Sequence, residues 1–160
     1  MKEIKLTKGY VAIVDDEDYY RLSKYKWRAS SICRKSNTIY ASTMVSINGK
    51  RVDIRMHRFI MAATNSLIQV DHKDGNGLNN QKCNLRLANN SQNNANKPPR
   101  KDNKIGYKGV CKDRSKYRAV VYHLDKKINV GSFNTPEEAA LAYNKKAIEI
   151  HGEFAYLNKV

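Results

Sequence analysis

The sequence predicts an α+β protein in which three different patterns follow one another along the chain. The first third is rich in β-branched and aromatic residues and contains an Asn-Gly hairpin signal. The middle has a strand, a glycine-rich loop, a second strand and a polar helix, and the last third has three strand patterns before a helix. The predicted segments are 1–56, 57–97, 98–104 and 105–158.

The first segment is predicted to be β-rich and to end in a hairpin. Its first apolar stretch is closed by an acidic turn. Asn48 and Gly49 suit the positive φ angles of a tight turn, so the stretches on either side should pair. A short helix is predicted to follow over 56–63. The predicted strands are 9–14, 20–31, 38–47 and 50–55.

The charge of the chain indicates a polyanionic partner. Lysine and arginine number 30 against 15 acidic residues, and the formal net charge is +15. Because the excess is spread along the chain, nucleic acid is the first candidate partner. An anionic membrane is disfavoured, since neither a basic amphipathic helix nor a lipidation signal is present. The alternative is a general basic character that indicates no particular activity, as in ribosomal proteins.

The cysteines argue against a disulfide scaffold and against a four-cysteine zinc site. There are three, at positions 33, 83 and 111, and none forms a Cys-x-x-Cys pair. No apolar run approaches membrane-spanning length, and the first ten residues contain no apolar signal region. We therefore expect a cytoplasmic protein, in the host cell if a phage encodes it.

The middle segment contains residues suited to phosphodiester hydrolysis. Asp71 and His72 end an apolar strand, and Asn84 and Asn93 follow further along. Hydrolysis needs a base to activate water and a hard cation to neutralise the developing charge. Histidine can be this base, and aspartate and amide oxygens are ligands for Mg²⁺. A further group must orient the histidine, and a backbone carbonyl of the loop could do so.

These residues resemble the HNH motif of phage and intron-encoded homing endonucleases. The resemblance implies the ββα-metal finger, in agreement with the strand, loop, strand and helix pattern. His57, in a stretch that resembles the lead-in of the family, is expected to pack or to donate hydrogen bonds rather than to catalyse. The matching stretches are Val70-Asp71-His72-Lys73-Asp74-Gly75-Asn76, Leu78-Asn79-Asn80, Asn84-Leu85-Arg86 and Ser91-Gln92-Asn93-Asn94.

The resemblance also implies a role for each residue of the motif. His72 would be the general base, Asp71 would bind the metal, and Asn84 would hold the loop in shape by hydrogen bonds. Asn93 would be the second metal ligand, where many relatives have histidine, with Asn94 as the neighbouring alternative. The implied cofactor is Mg²⁺, with Mn²⁺ as the alternative. No structural zinc is expected, because the cysteine pairs of some relatives are absent.

The last segment is predicted to place three strands before a capped helix. Segment 98–104, with two prolines, predicts a linker. Thr135 and Glu138 suit a capping box, Pro136 suits the first helical position, and Gly152 suits the helix end. The predicted strands are 107–110, 116–124 and 127–133, and the predicted apolar helix face consists of Ala139, Ala140, Tyr143, Ala147 and Ile150.

This last segment resembles the APETALA/ethylene-response-factor DNA-binding domain. The stretches that carry the resemblance are Tyr107-Lys108-Gly109-Val110, Lys116-Tyr117-Arg118-Ala119, Val130-Gly131-Ser132-Phe133, 135–143 and 152–158. It implies a sheet that enters the major groove, with the helix packed behind it. Cys111 and Asn129 stand where that family usually has Arg and Trp, so no target sequence is inferred. The predicted DNA-contacting residues are Lys108, Arg114, Lys116, Arg118, Tyr122, Lys126 and Lys127.

The resemblances together predict a metal-dependent HNH DNA endonuclease of the homing type, directed to double-stranded DNA by its C-terminal domain. It would act as a monomer or a homodimer, and would nick one strand or cut both. The alternative is a non-catalytic, sequence-specific DNA-binding protein built on a retained HNH scaffold. The presence of Asp71, His72 and Asn93 favours the enzyme, because a degraded nuclease is expected to lose at least one of them.

Overall fold

The computed structural model describes residues 1–31, 38–124 and 126–160. It confirms the α+β class, with several small antiparallel sheets. The chain divides into two compact units, Met1–Ala88 and Asn89–Val160. This division falls inside the segment 57–97, between its second strand and its helix, and the predicted domain boundaries remain a prediction. In the described part of the chain, no helix is long and apolar enough to cross a membrane.

The first unit contains three small antiparallel sheets, which are β1-β2, β3-β4-β5 and β6-β7. In chain order its strands are β1 (Lys2–Lys5), β2 (Val11–Val14), β3 (Arg28–Ser31), β4 (Ile39–Ile47), β5 (Lys50–Arg55), β6 (Gln69–His72) and β7 (Leu85–Ala88). Its helices are α1 (Asp16–Ser23) and α2 (Met56–Ile60), and a 3₁₀ turn covers Thr7–Gly9.

The hairpin and the helix predicted in the first segment are confirmed, but one predicted strand is wrong. Asn48 and Gly49 have φ angles of 49° and 75°, and β4 pairs with β5 across them. Of the residues predicted to form a strand over 20–31, the first four continue α1 and only the last four form β3. Three acidic residues in the first turn of α1 favour a helix N-terminus. Leu22 then buries its side chain, which outweighs the β preference of the tyrosines.

One hydrophobic core joins the sheets of the first unit. It takes Val14 from β2, Leu22 from α1, Met56 from α2, and Val70 and Leu85 from the β6-β7 pair. Burial of such side chains is the main favourable contribution to folding. The β6-β7 pair is therefore fixed in place by the N-terminal region that precedes it in the chain. The remaining members are Ile4, Leu6, Ala12, Trp27, Ala41 and Ile60.

The second unit is a three-stranded antiparallel sheet packed on a long helix, with a short helix before it. Its elements are α3 (Asn90–Asn96), β8 (Val110–Asp113), β9 (Lys116–His123), β10 (Lys126–Phe133), α4 (Pro136–His151) and a 3₁₀ turn (Gly152–Phe154). β9 is the central strand. Alanines and Tyr143 of α4 pack on Ala119 and Val121 of β9, as the apolar helix pattern predicts.

The predicted capping of α4 is confirmed, and the first predicted strand of this unit is wrong. Thr135 and Glu138 form the capping box, and Gly152 ends α4 with a φ of 55°. Strand β8 begins only at Val110, whereas a strand was predicted over 107–110. Gly109 has a φ of 71°, which lies outside the extended range, so the backbone turns there before it enters the sheet.

Candidate active site

Asp71 and His72 occupy the last two positions of β6, and both are buried. β6 pairs with β7 in a register that places Asp71 opposite Arg86 and His72 opposite Leu85. A charged or titratable side chain in such a place must find partners, because burial without them is costly. The partners of each residue therefore decide what it can do chemically.

His72 contacts polar and aromatic side chains from three parts of the first unit. Its Nε2 lies 3.3 Å from Oδ1 of Asn80. Its ring packs edge-on against His57, with centroids 5.0 Å apart, and lies 5.8 Å from the Tyr40 ring. Burial lowers the pKa of His72 below 6.5, although the hydrogen bond with Asn80 opposes this shift. The imidazole is therefore neutral at pH 7, the state in which it accepts protons.

The side chain of Asn80 is one group that orients His72, and orientation by a backbone carbonyl of the loop stays a prediction. Nδ2 of Asn80 donates to the Leu78 carbonyl at 3.2 Å, which turns Oδ1 toward His72. Asn80 is completely buried, so its amide has little freedom to reorient. The Leu78-Asn79-Asn80 stretch belongs to the motif, but only the path of the loop shows which of its two asparagines faces His72.

His57 is a buried packing partner of His72, as the sequence analysis expected. Its ring also lies 5.4 Å from the ring of Tyr40, so three rings contact one another. Burial is the main reason that the pKa of His57 falls to about 3, with smaller contributions from His72 and Arg55. Nδ1 of His57 is buried and has no hydrogen-bond partner among the described residues. His57 is thus a neutral ring at physiological pH.

Asp71 forms a buried ion pair with Arg86, which the sequence analysis did not predict. Nε and Nη2 of Arg86 both donate to Oδ2 of Asp71, at 3.0 and 2.8 Å. Both side chains are more than 90% buried, so the pair must be close to offset the desolvation of its charges. The pairing fixes the orientation of the carboxylate. Arg86 was part of the quoted motif, but only the register of β6 and β7 brings it to Asp71.

Asn84 joins the two ends of the loop 73–84. Its Nδ2 donates to Oδ1 of Asp74 and to the Asn79 carbonyl, both at 2.9 Å. Its Oδ1 accepts from the Asp74 amide at 3.1 Å, and its carbonyl accepts from the Lys73 amide at 2.9 Å. These hydrogen bonds agree with the role that the resemblance implies for Asn84, which is to hold the loop in shape.

Asp74 is an anion of the same loop whose function was not predicted from the sequence. It accepts hydrogen bonds from the Asn76 amide and from the Asn79 side chain, both at 2.8 Å, besides the bonds with Asn84. Burial raises the pKa of Asp74, but these hydrogen bonds outweigh it and lower the pKa overall. The ionised carboxylate therefore organises the loop from within.

The N-terminal region holds this loop from outside. The Ile13 amide donates to the Leu78 carbonyl at 2.9 Å, and the Asn80 amide donates to the Ile13 carbonyl at 2.8 Å. Asp15, which precedes α1, accepts from the Lys82 amide at 2.7 Å. These bonds link β2 to the residue that orients His72. Sequence reasoning missed this function, because residues so far apart in the chain give no local pattern.

A group of three carboxylates lies beside the loop and has partners within the protein. Among residues 1–31, 38–124 and 126–160, Asp15, Glu17 and Asp18 are the group of His, Cys, Asp or Glu side chains close enough to share an ion. Lys82 binds Glu17 at 2.6 Å, and Arg21 binds Asp18 at 2.6 Å. With Asp15 bonded to the loop backbone, these anions already have cationic or amide partners.

Asn93 lies on α3, in the second unit. A capping box begins this helix: Oδ1 of Asn89 accepts from the Gln92 amide, and the Gln92 side chain accepts from the Asn89 amide, both at 2.9 Å. Oδ1 of the neighbouring Asn94 accepts from Nζ of Lys97 at 2.7 Å. In chain order, Asn93 lies on the helix that follows β7, which is the position that the motif implies for it.

Four of the predicted DNA-contacting residues share one face of the second unit's sheet. Tyr117, Ala119 and Val121 of β9 face the α4 side, so the alternate positions face the other way. Tyr122 pairs with Lys127 across the ladder and is 63% exposed. The residues on this face are Lys116, Arg118, Tyr122 and Lys127, with Arg114 in the turn between β8 and β9 and Lys126 at the start of β10.

Two of the predicted DNA-contacting residues are bonded within the protein: Arg118 is paired with Asp113 at 3.4 Å, and Lys108 with the end of α3. Lys108 precedes β8, and its Nζ donates to three backbone carbonyls, which are those of Asn94, Ala95 and Lys97. Its ammonium is thus bonded within the protein, and a phosphate contact would have to replace those bonds. A DNA contact by Lys108 therefore stays a prediction without support from these hydrogen bonds.

Similarity to known proteins gives the family of the chain. A protein of Acanthamoeba polyphaga mimivirus called an uncharacterised HNH endonuclease is 35% identical over 158 residues, which cover 96% of this chain and 77% of the viral protein. The chain belongs to the HNH endonuclease family. Protein 3.8 of Escherichia phage T7 is 36% identical to it over 107 residues, covering 63% of this chain and 88% of the phage protein. No family model matches the chain, and no solved structure matches it.

The residues suggested as metal ligands fit a hard divalent cation by their chemistry. In this member of the HNH family, Asp71 offers carboxylate oxygens and Asn93 offers an amide oxygen. Mg²⁺ and Mn²⁺ both accept such oxygen donors. Arg86 neutralises part of the charge of Asp71, so the carboxylate attracts a cation less strongly than an unpaired one would.

Proposed function

We propose that this HNH family member is a metal-dependent DNA endonuclease that hydrolyses phosphodiester bonds. The observation that supports it best is the environment of His72. This histidine is buried, neutral and oriented by Asn80, and it is the chain neighbour of the carboxylate of Asp71. A water-activating base needs the same properties, since it must accept a proton at neutral pH from a defined direction.

His72 would take the proton from the attacking water through Nδ1. With the ring proton on Nε2 and donated to Asn80, Nδ1 is the basic nitrogen of the imidazole. The edge contact with His57 limits rotation of the ring about its side-chain bonds. The bonds from Asn84 and β2 keep the loop of Asn80 in one conformation, so they preserve this tautomer indirectly.

Asp71 and Asn93 would hold Mg²⁺, or Mn²⁺ in its place. When bound, the cation would stabilise the charge on the phosphate and on the leaving 3′ oxygen. One carboxylate, already paired with Arg86, and one amide form a weak donor set. We therefore expect tight metal binding only when a DNA phosphate adds its own oxygen to the site.

The second unit would bind double-stranded DNA through the sheet face that carries Lys116, Arg118, Tyr122 and Lys127. Basic side chains on a strand reach phosphates, and an exposed tyrosine can contact bases or sugars. Arg114 and Lys126 extend this face at its ends. This mode of binding follows the resemblance of the unit to the APETALA/ethylene-response-factor domain. The enzyme would be of the homing type, and would nick or cut duplex DNA as a monomer or a homodimer.

A second candidate function is DNA binding without cleavage. The Asp71–Arg86 ion pair favours it, because Arg86 neutralises the carboxylate of Asp71 without a metal ion. In such a protein the loop 73–84 would be a scaffold, and the net charge of +15 would still attract DNA. Cleavage separates the two functions, whereas DNA binding does not.

The test is cleavage of a supercoiled plasmid with Mg²⁺, with Mn²⁺ and with EDTA. His72→Ala removes the base, and Asp71→Asn removes the ligand charge while it retains the shape of the side chain. Asp16→Asn is the matched control, since Asp16 is an exposed aspartate of α1 outside the site. We expect metal-dependent relaxation or linearisation by the wild type and by the control, and none by the two site variants.

The ratio of relaxed to linear product then distinguishes nicking from cutting of both strands. Each variant is also tested for DNA binding in EDTA, where we expect little change. If His72→Ala cleaves as fast as the wild type, His72 is not the base. If the wild type binds both the plasmid and the DNA of its host but cleaves neither with any metal, the binding-only function is correct.

A further inference from the structure

Helix α3, which bears Asn93, has a capping box at its N-terminal end but little in its own sequence that stabilises its C-terminal end. It is seven residues long and mostly asparagine, which is a poor helix former. Only Ala95 is buried, and the last turn has no basic residue of its own. Isolated helices of this length are not stable in water. Contacts at the C-terminal end of α3 must therefore supply the stability that its own sequence does not.

The ammonium of Lys108 supplies those contacts at the C-terminal end. Its Nζ donates to the carbonyl oxygens of Asn94, Ala95 and Lys97, at 3.0, 2.5 and 2.6 Å. The last carbonyls of a helix have no partner within it, and they form the negative end of the helix dipole. Backbone amides already donate to two of these carbonyls, Lys97 to Asn94 and Tyr156 to Ala95. The ammonium of Lys108 adds a further donor to both, bonds the Lys97 carbonyl, and places a positive charge at the negative end of the dipole.

Lys108 is itself held in place by the end of the chain. Its backbone amide donates to Oδ1 of Asn158 at 2.7 Å, and Nδ2 of Asn158 donates back to the Lys108 carbonyl at 3.1 Å. Asn158 is buried and bonded to Asn144 of α4 by two further hydrogen bonds. The Tyr156 ring lies 5.6 Å from Nζ, and the Tyr156 amide donates to the Ala95 carbonyl.

The charge state of Lys108 is compatible with this contact at neutral pH. Burial and the nearby Lys97 lower the pKa of Lys108 to about 8. The side chain is therefore mostly protonated at pH 7, and it is only half-buried. A lysine placed to bind phosphate would instead extend into solvent, as the exposed Lys116 and Lys127 do.

We propose that Lys108 is a positioning residue of the nuclease, which closes the C-terminal end of α3 and so fixes the helix that bears Asn93. This inference rests on the proposed function, since Asn93 matters for catalysis only in a metal-dependent nuclease. Its consequence is that a residue beyond the predicted linker, in the segment resembling a DNA-binding domain, acts in catalysis rather than in DNA affinity.

The test compares Lys108→Met with the matched control Lys145→Met, an exposed lysine of α4. Amide hydrogen exchange of α3 is the first measurement, because it does not depend on activity. We expect about tenfold faster exchange of the α3 amides in Lys108→Met than in the wild type or the control. Lys108→Arg retains a positive charge and several donors, and should restore protection in part.

DNA affinity in EDTA and the Mg²⁺ concentration that gives half-maximal cleavage are measured on the same proteins. Lys108→Met should require more Mg²⁺ and cleave more slowly at saturating DNA, with a change in Kd of less than about twofold. If α3 protection is unchanged while Kd rises about fivefold or more, Lys108 is a phosphate contact and the proposal is wrong. A wild type that never cleaves refutes the proposed function, and the exchange rates then still report whether Lys108 closes α3.

Discussion

Asn84 makes three side-chain hydrogen bonds within the loop 73–84, so its substitution should lower the stability of the protein more than substitution of its neighbours. Asn84→Ala removes one acceptor and two donated bonds, and leaves groups of Asp74 and Asn79 without partners. We expect a loss of about 3 kcal/mol in unfolding free energy, because three part-buried hydrogen bonds are lost and each contributes about 0.5–1.5 kcal/mol. Urea unfolding of the variant measures this loss.

Asn76→Ala is the matched control for that measurement. Asn76 is exposed, and its side chain accepts a single hydrogen bond, from the Leu78 amide. It should cost about 1 kcal/mol or less. Equal losses in the two variants would show that Asn84 has no special function in the loop. Cleavage should fall in Asn84→Ala even under conditions where the protein remains folded, because Asn80 depends on the same loop.

A second effect of a single residue is the dependence of stability on pH that His57 confers. Its folded pKa of about 3 lies below the unfolded value of 6.5, so the unfolded chain takes up a proton first as the pH falls. Stability is therefore fully present above pH 6.5 and declines below it. From pH 7 to 5 the loss attributable to His57 is about 2 kcal/mol. The lowered pKa of His72 acts in the same direction.

His57→Phe tests this dependence, since it retains a ring but cannot titrate. Nδ1 of His57 has no hydrogen-bond partner among the described residues, so an apolar ring should be tolerated. The melting temperature of the variant should fall less than that of the wild type between pH 7 and 5. Parallel pH curves for the two proteins would mean that His57 is not buried as a neutral ring.

At the scale of secondary structure elements, the entry into β8 depends on a glycine for two separable reasons. Gly109 has a φ of 71°, and a Cβ there would overlap the Tyr143 ring of α4 and the Val120 carbonyl of β9. Gly106 has a φ of 82°, but a Cβ there would meet no atom. The two positions therefore share the backbone strain and differ only in crowding.

We expect Gly106→Ala to cost about 1 kcal/mol, which is the strain of a positive φ alone. Gly109→Ala should cost about 3 kcal/mol, because overpacking adds to that strain. Thermal unfolding monitored in the second unit measures both. Similar costs for the two variants would mean that α4 moves away from the sheet easily, and that the packing of Tyr143 does not define this unit.

At the scale of the whole molecule, the net charge of +15 predicts DNA binding that weakens steeply with salt. Lys116→Gln and Lys127→Gln, on the sheet face opposite α4, should each reduce the slope of log K against log salt by about 1. Lys145→Gln on α4 is the control and should leave the slope unchanged. A slope that is flat in the wild type, or equally reduced by the control, contradicts binding through this face.

The α+β class, the β4-β5 hairpin and the caps of α4 were predictable from the sequence, because these features depend on residues close together in the chain. Asn48 and Gly49 need only a turn with positive φ angles, and Thr135 and Glu138 need only one helical turn. The HNH residues were also evident in the sequence, by resemblance. Local preference failed at α1, where the burial of Leu22 and an acidic first turn outweighed the β preference of the tyrosines.

The contacts of each motif residue, by contrast, depend on the fold of the chain. Arg86 reaches Asp71 through a strand register, Asn80 reaches His72 through the path of a loop that β2 holds, and Lys108 reaches α3 across the second unit. Composition and spacing cannot encode such contacts, since they join residues whose distance in space is set by packing of the whole chain. That is also why a lysine assigned to DNA by resemblance is found bonded to the end of a helix.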